Sequence, residues 1–208
     1  MGVGKIFRTL VTSSVVMLAL VAGAAAGEIE EQHASYATLG SETSVPYGWL
    51  DFCSREPQEC NQPVLQAADV NLTSETWQIL DKINTRVNHT IEPISNLAHW
   101  GTLLDHWDYP TDGKGDCKIY ALEKRRLLMQ AGLPRQALLM TIVRDLNGEG
   151  HAILTVKTDK GEFTLDNLTD AIRPWDATGY HFLKRQSQAD PNIWVAIVQS
   201  KAIISSLQ

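Results

Sequence analysis

Of the three cysteines in the chain, Cys117 is the one placed for chemistry. It lies in the stretch GKGDCKIYALEKRR, residues 113–126, at the point where a turn becomes a helix. Gly113 and Gly115 permit a tight, close-approaching turn, Asp116 is a favoured N-cap, and Cys117 falls in the first helical turn. Free amide donors and the positive end of the helix dipole favour a thiolate there, and the thiolate is the reactive form of cysteine. The bland alternative is a small residue buried at a helix start, since free cysteines are commonly buried. The partners decide between the two.

A cysteine nucleophile needs a base to take its proton, and the base needs a third group to hold its tautomer and steady the imidazolium. His151 and Asp166 are the natural candidates. If Asp159-Lys160 is a two-residue hairpin turn, Ile153 faces Asp166 and His151 faces Leu168. His151 and Asp166 then lie diagonally on one face, about 7–8 Å apart at the backbone and within side-chain reach. A three-residue loop bulged at Gly161 would shift the register by one and send the two side chains to opposite faces. The same-face register is the expectation. Taken singly, His151 reads as a strand-start structural residue and Asp166 as a turn residue; the helix-start cysteine changes that balance.

The other cysteines satisfy each other. Cys53 and Cys60 lie seven apart in the loop-like DFCSREPQEC, far in sequence from Cys117. Their pairing predicts a short disulfide loop that stabilises by about 2–3 kcal/mol. A zinc site is disfavoured, because the pair is not C-x-x-C and no histidine lies close by. Residues 99–108, HWGTLLDHWD, gather His99, Trp100, Asp105, His106, Trp107 and Asp108. That spacing matches no standard ligand pattern, and aromatic packing beneath a loop is preferred to a metal.

The rest of the chain must position these groups. At 208 residues with 44% hydrophobic content it suits one globular domain, residues 27–208. Residues 1–26 read as a signal peptide, with Lys5 and Arg8, an apolar run from about Leu10 to Val21, and an Ala24-Ala25-Ala26 cleavage site. The apolar run is shorter than the roughly 20 residues that span a bilayer, so no stable membrane insertion is expected after cleavage. Loss of Lys5 and Arg8 takes the formal charge from −6 to −8, and an acidic chain without a basic stripe is a poor partner for nucleic acid. Residues 27–72 show no sustained period and read as an extended, wrapping segment. A helix follows, capped by Thr73 or Ser74, with Trp77, Leu80, Val87 and Ile91 near one face and Pro93 as its stop. The Cys117 helix runs to about Gln130, with Glu123, Lys124, Arg125 and Arg126 read as a mostly solvated face. Period-two stretches then predict strands at 136–144, 151–158, 162–168, 180–185 and 193–198, the last apolar enough to be central. Helix first, then an antiparallel meander, is an α+β plan in which the nucleophile's helix packs on the sheet.

Four motifs, in this order and spacing, closely resemble the bacterial transglutaminase-like cysteine peptidases. They are GDC opening a helix (Gly115 to Cys117), GEGHAILTV (Gly148 to Val156), LDN (Leu165 to Asn167) and IRPW (Ile172 to Trp175), within about Pro46 to Trp194. The resemblance implies a papain-like, transglutaminase-like fold, a Cys-His-Asp triad at Cys117, His151 and Asp166, and a periplasmic or secreted location. The backbone amide of Cys117 is expected in an oxyanion hole, with the Trp107 indole N–H as second donor, as in transglutaminase-like folds. Some members are calcium-dependent periplasmic proteases that release a biofilm adhesin, and in these the cysteine is followed by two acids that help bind calcium. Here Lys118 and Ile119 stand at those positions, leaving Asp116 as the remaining candidate ligand. Such a site loses two carboxylates and meets an ammonium, so the expectation is an enzyme without a cofactor. The function expected is hydrolysis of a protein or peptide substrate by thiolate acyl transfer. The alternatives are a protein-glutamine transamidase and a non-catalytic peptide-binding scaffold of the same fold.

Overall fold

The period-two stretches form an antiparallel meander. In the computed structural model, which describes residues 1–2 and 34–199, the strands are β4 (Leu138–Arg144), β5 (Gly150–Thr158), β6 (Gly161–Leu165), β8 (His181–Gln186) and β9 (Trp194–Val198). With β1 (Thr38–Thr43) and the short β7 (Arg173–Pro174) at its edges, the sheet has the order β1-β9-β8-β4-β5-β6-β7, every neighbour antiparallel. The expected central strand, β9, is therefore one in from the edge, and β4 holds the middle. The chain divides into the units Met1–Gln32 and His33–Gln208, and the sheet belongs to the second. The expected signal peptide lies outside the described residues apart from Met1 and Gly2.

Two helices cover one side of this sheet. The helix α3 (Ser74–Thr90) starts where the sequence puts it: the Thr73 hydroxyl accepts from the Thr76 N–H at 3.1 Å. The helix α5 (Cys117–Gln130) packs on β5 and β4, with α3 against it. Its apolar residues Ala121, Leu122 and Leu128 join Leu80, Leu138, Met140, Leu154 and Val156 in the main core. Full burial of each large aliphatic side chain there contributes roughly 1.5–3 kcal/mol.

Because α5 lies between sheet and helix, even its charged run is drawn in. Lys124 is 0% and Arg125 1% exposed, which corrects the solvated face expected for Glu123 to Arg126. Arg125 reaches out of the helix to the Leu138 carbonyl at 3.3 Å and to Glu59 at 2.9 Å, so its charge is paired although its stem is buried. Lys124 Nζ has no partner among the described residues, and burial pushes its pKa down to about 7 despite Asp166 and Asp170 nearby.

The segment before Thr73 is also more ordered than expected. It holds β1, α1 (Tyr47–Arg55) and α2 (Pro57–Cys60). The Cys53–Cys60 disulfide joins α1 to α2 across a Cα–Cα distance of 5.6 Å. α1 inserts Trp49 and Phe52, both 0% exposed, beneath the loop that carries Trp107. Trp49, Trp107 and Trp194 then meet edge to face, with ring centroids 6.0–6.5 Å apart. Gly48 makes this approach possible: a Cβ there would sit 2.1 Å from Trp107 Cδ1.

Candidate active site

The cysteine turn is anchored from behind. Residues 92–93 and 114–115 form a two-stranded parallel pair, β2 (Glu92–Pro93) with β3 (Lys114–Gly115), that ties the end of α3 to the start of α5. The short α4 (Asn96–Trp100) leads from this pair into the aromatic loop. Cys117 is the first residue of α5, partly exposed and free of any disulfide. Asp116 has the extended backbone of an N-cap, φ −107° and ψ −175°, and its carbonyl accepts from the N–H groups of Ile119 and Tyr120. Its carboxylate makes no cap bond, contrary to expectation. The amides at the start of α5 are among the four donors that a helix leaves without an internal acceptor.

The hairpin register is the one that Asp159-Lys160 requires. Pairs run from Leu154–Leu165 to Thr158–Gly161, which keeps His151 and Asp166 on one face. The side chains close the diagonal: His151 Nε2 lies 2.8 Å from Asp166 Oδ1. Both residues are buried, at 7% and 3% exposure. The Leu168 N–H donates to the same carboxylate oxygen at 3.1 Å, and the Tyr180 hydroxyl donates to Oδ2 at 2.6 Å. Asn88 of α3 donates to the Asp166 carbonyl at 3.0 Å, fixing the backbone as well. With Nε2 directed at the carboxylate, Nδ1 remains for the Cys117 thiol, and the two residues line the same clefts.

Electrostatics follow from these contacts. Burial opposes the imidazolium, but Asp166 and Cys117 outweigh it and raise the His151 pKa to about 10. Burial likewise opposes the Asp166 carboxylate, yet His151, Tyr180 and the Leu168 amide hold its pKa below the ordinary value. The phenol of Tyr180 is pushed up by burial and by the carboxylate it serves, so it stays a donor.

A second cluster borders the thiol. Lys118, 5% exposed, directs its ammonium to Asp105 Oδ1 at 2.9 Å and to the carboxylate of Asp116. Burial disfavours this charge, but the two carboxylates prevail and raise the pKa. The other oxygen of Asp105 accepts the Trp107 indole N–H at 2.6 Å. Trp107 is itself 1% exposed. Its single N–H is thus committed, which corrects the expectation that it is free to serve as the second oxyanion donor. His99 and His106 lie apart from the thiol, paired with Asp112 at 2.8 Å and with Asp51 and Asp108 at 3.4–3.5 Å. No group of three or more metal-capable side chains occurs among the described residues. Ile119 offers no oxygen, and the carboxylate of Asp116 is already salt-bridged, so the residues present do not make a calcium donor set.

Two clefts meet at Cys117 and His151. One is bounded by Asp105, Trp107, Lys118 and Ile142, the other by Pro93, Ile94, Asn167 and Leu168. An extended chain could therefore pass over the sulfur with residues held on both sides. Tyr180 and Asn88 were not identifiable from sequence as parts of this site, since neither belongs to a motif and each acts only through contacts made by the fold.

A helix-start thiol, a histidine on one strand with a carboxylate just past the end of its neighbour, and a helix packed on an antiparallel sheet define a papain-like thiol enzyme of the transglutaminase-like type. The chain belongs to the family of bacterial transglutaminase-like cysteine proteinases, whose profile matches residues 39–202, and it is a cysteine peptidase. Among solved structures it resembles LapG of Legionella pneumophila, with 25% identity over 58% of this chain and 69% of that one and a TM-score of 0.50. The calcium-bound form of the same protein is 23% identical over 62% and 74%, also with a TM-score of 0.50. No match is found among curated proteins.

Proposed function

We propose that Cys117, His151 and Asp166 form the catalytic triad of a periplasmic peptidase that cleaves a protein substrate. The observation that carries this reading is the His151 imidazole, 2.8 Å from a buried carboxylate and lining with Cys117 both of the clefts that meet there. In the reaction Cys117 Sγ attacks the carbonyl carbon of the scissile bond as a thiolate, its proton held on the His151 imidazolium that the raised pKa favours. The Cys117 main-chain N–H is placed to bind the oxyanion. His151 returns the proton to the leaving amine, and the C–N bond breaks to leave a thioester. Water, deprotonated by His151, then attacks the thioester, releasing the acid and the thiol. Asp166 remains ionised throughout and fixes the ring.

Hydrolysis is favoured over transfer to a second amine because the two clefts at the thiol suit one extended chain. The periplasmic location rests on the signal-like residues 1–26 together with the family. The test compares N-termini in the exported proteome of cells carrying the native protein or Cys117→Ala. New N-termini present only with the native protein support the reading, and identical sets contradict it. Incorporation of a fluorescent amine into casein, without new N-termini, would instead mark a transamidase.

A further inference from the structure

The ammonium of Lys118 stands among carboxylates beside the nucleophile, and one of the solved structures that this chain resembles is calcium-bound. We infer that Lys118 is a resident cation that fastens the Asp105–Trp107 loop to the cysteine turn, so that the active site is assembled without calcium and does not respond to it.

Three observations carry this. First, Lys118 is buried and links two segments: Asp105 comes from the aromatic loop, and Asp116 immediately precedes Cys117. The connection continues from Asp105 to the Trp107 indole, and Trp107 is locked in the core against Trp49 and Trp194. One ammonium therefore joins the rigid centre of the molecule to the turn that aims the thiol. Charge-assisted hydrogen bonds in a buried setting are strong enough to do this. Second, the carboxylates of Asp105 and Asp116 already share a positive charge, because the Lys118 ammonium bridges them. The positive charge that the carboxylates need is supplied covalently. Third, Ile119 is 1% exposed and sits against Gly115, where even a Cβ would come within 2.5 Å of its Cγ2. This position is part of the packing and offers no side-chain oxygen, and the unpartnered Asp116 Oδ1 is one donor where calcium takes about six to eight.

Lys118 is on this account a positioning residue, acting through Asp105 and Asp116 rather than on substrate. The inference rests on Cys117 being the nucleophile, but its test does not need the substrate. Thermal melting, amide hydrogen exchange and the rate of Cys117 alkylation by iodoacetamide are measured on the full protein, in excess EGTA and in millimolar CaCl2. For the native protein all three agree between the two conditions. In Lys118→Met the amides of residues 102–116 exchange faster and Cys117 alkylates more slowly, each on the order of tenfold, the equivalent of one charge-assisted hydrogen bond. CaCl2 reverses neither effect. Lys118→Arg, which keeps the charge, retains most of the protection.

A rise in melting temperature or alkylation rate of the native protein on adding CaCl2 would overturn the inference, as would native-like exchange in Lys118→Met. Should Lys118→Met fail to fold, the native comparison still decides. Failure of the peptidase reading looks different: it would appear as Cys117 alkylation that is indifferent to loss of His151, and the calcium response of the melting temperature would be untouched by it.

Discussion

His151 Nε2 on β5 and Asp166 Oδ1, just past the end of β6, meet at 2.8 Å, and Tyr180 holds the second oxygen of that carboxylate at 2.6 Å. Tyr180 also packs edge-on to the imidazole, with ring centroids 5.9 Å apart. The carboxylate is thus oriented before it orients the histidine. Asp166→Asn should reduce kcat by roughly a hundredfold or more, because an amide no longer enforces the tautomer or stabilises the imidazolium. Tyr180→Phe removes one hydrogen bond to a charged group and should cost about tenfold in kcat with KM little changed. Steady-state kinetics on a cleaved peptide would show the split; a pure KM effect in Tyr180→Phe would place that residue in substrate binding instead.

The titration of His151 makes a signed prediction for stability. Its pKa rises from the ordinary 6.5 to about 10 in the fold, so the folded state favours the protonated ring. That contribution is fully present below about 6.5 and is lost as pH rises toward about 10. Asp166, with its pKa lowered, behaves oppositely: its contribution holds above the ordinary 3.8 and fades as pH falls through the lowered value. The difference in melting temperature between native protein and His151→Gln should shrink across the alkaline window. A constant difference would mean that the ring carries no linked proton there.

Glu162 and Arg185 form an ion pair at 2.7 Å with side chains 1% and 2% exposed. Breaking such a pair strands a buried charge, so Arg185→Met should destabilise by roughly 3–5 kcal/mol. The double variant with Glu162→Leu should recover much of the loss, since an apolar pair avoids the desolvation cost. Urea unfolding of the single and double variants measures both, and additive losses would contradict the account.

Gly48 is where the core and the site touch. In Gly48→Ala the new Cβ collides with the Trp107 ring, and Trp107 must move although it is bonded to Asp105. The expected cost is roughly 1–3 kcal/mol of stability, as for other overpacked positions. Gly150→Ala, where a Cβ would meet nothing within 4 Å, should be close to neutral. Urea midpoints for the two variants separate a steric effect from a general glycine effect.

What the sequence reveals of this site follows from the range of the interactions. The hairpin register was legible because the Asp159-Lys160 turn and the period of two are local, and they place His151 and Asp166 on one face without further information. The start of α5 was legible for the same reason, through Gly115 and Asp116. The charged side chains misled, because a lysine or arginine reads as solvated until its partner is known. Lys124 and Arg125 are buried by elements packed on both sides of α5, and Glu59, the partner of Arg125, comes from the distant α2. α1 was hidden because Pro46 and Gly48 resemble loop punctuation, whereas Gly48 is there to admit Trp107. The resemblance placed the indole of Trp107 near the thiol, but its commitment to Asp105 was not legible.

The central claim is that His151 makes Cys117 a nucleophile. The rate of Cys117 alkylation by iodoacetamide at about pH 6, where an unassisted thiol is almost wholly protonated, tests it most directly. The native protein should react faster than the same cysteine in urea-unfolded chain, and His151→Ala should lose that advantage. Equal rates for native, unfolded and His151→Ala protein would contradict it.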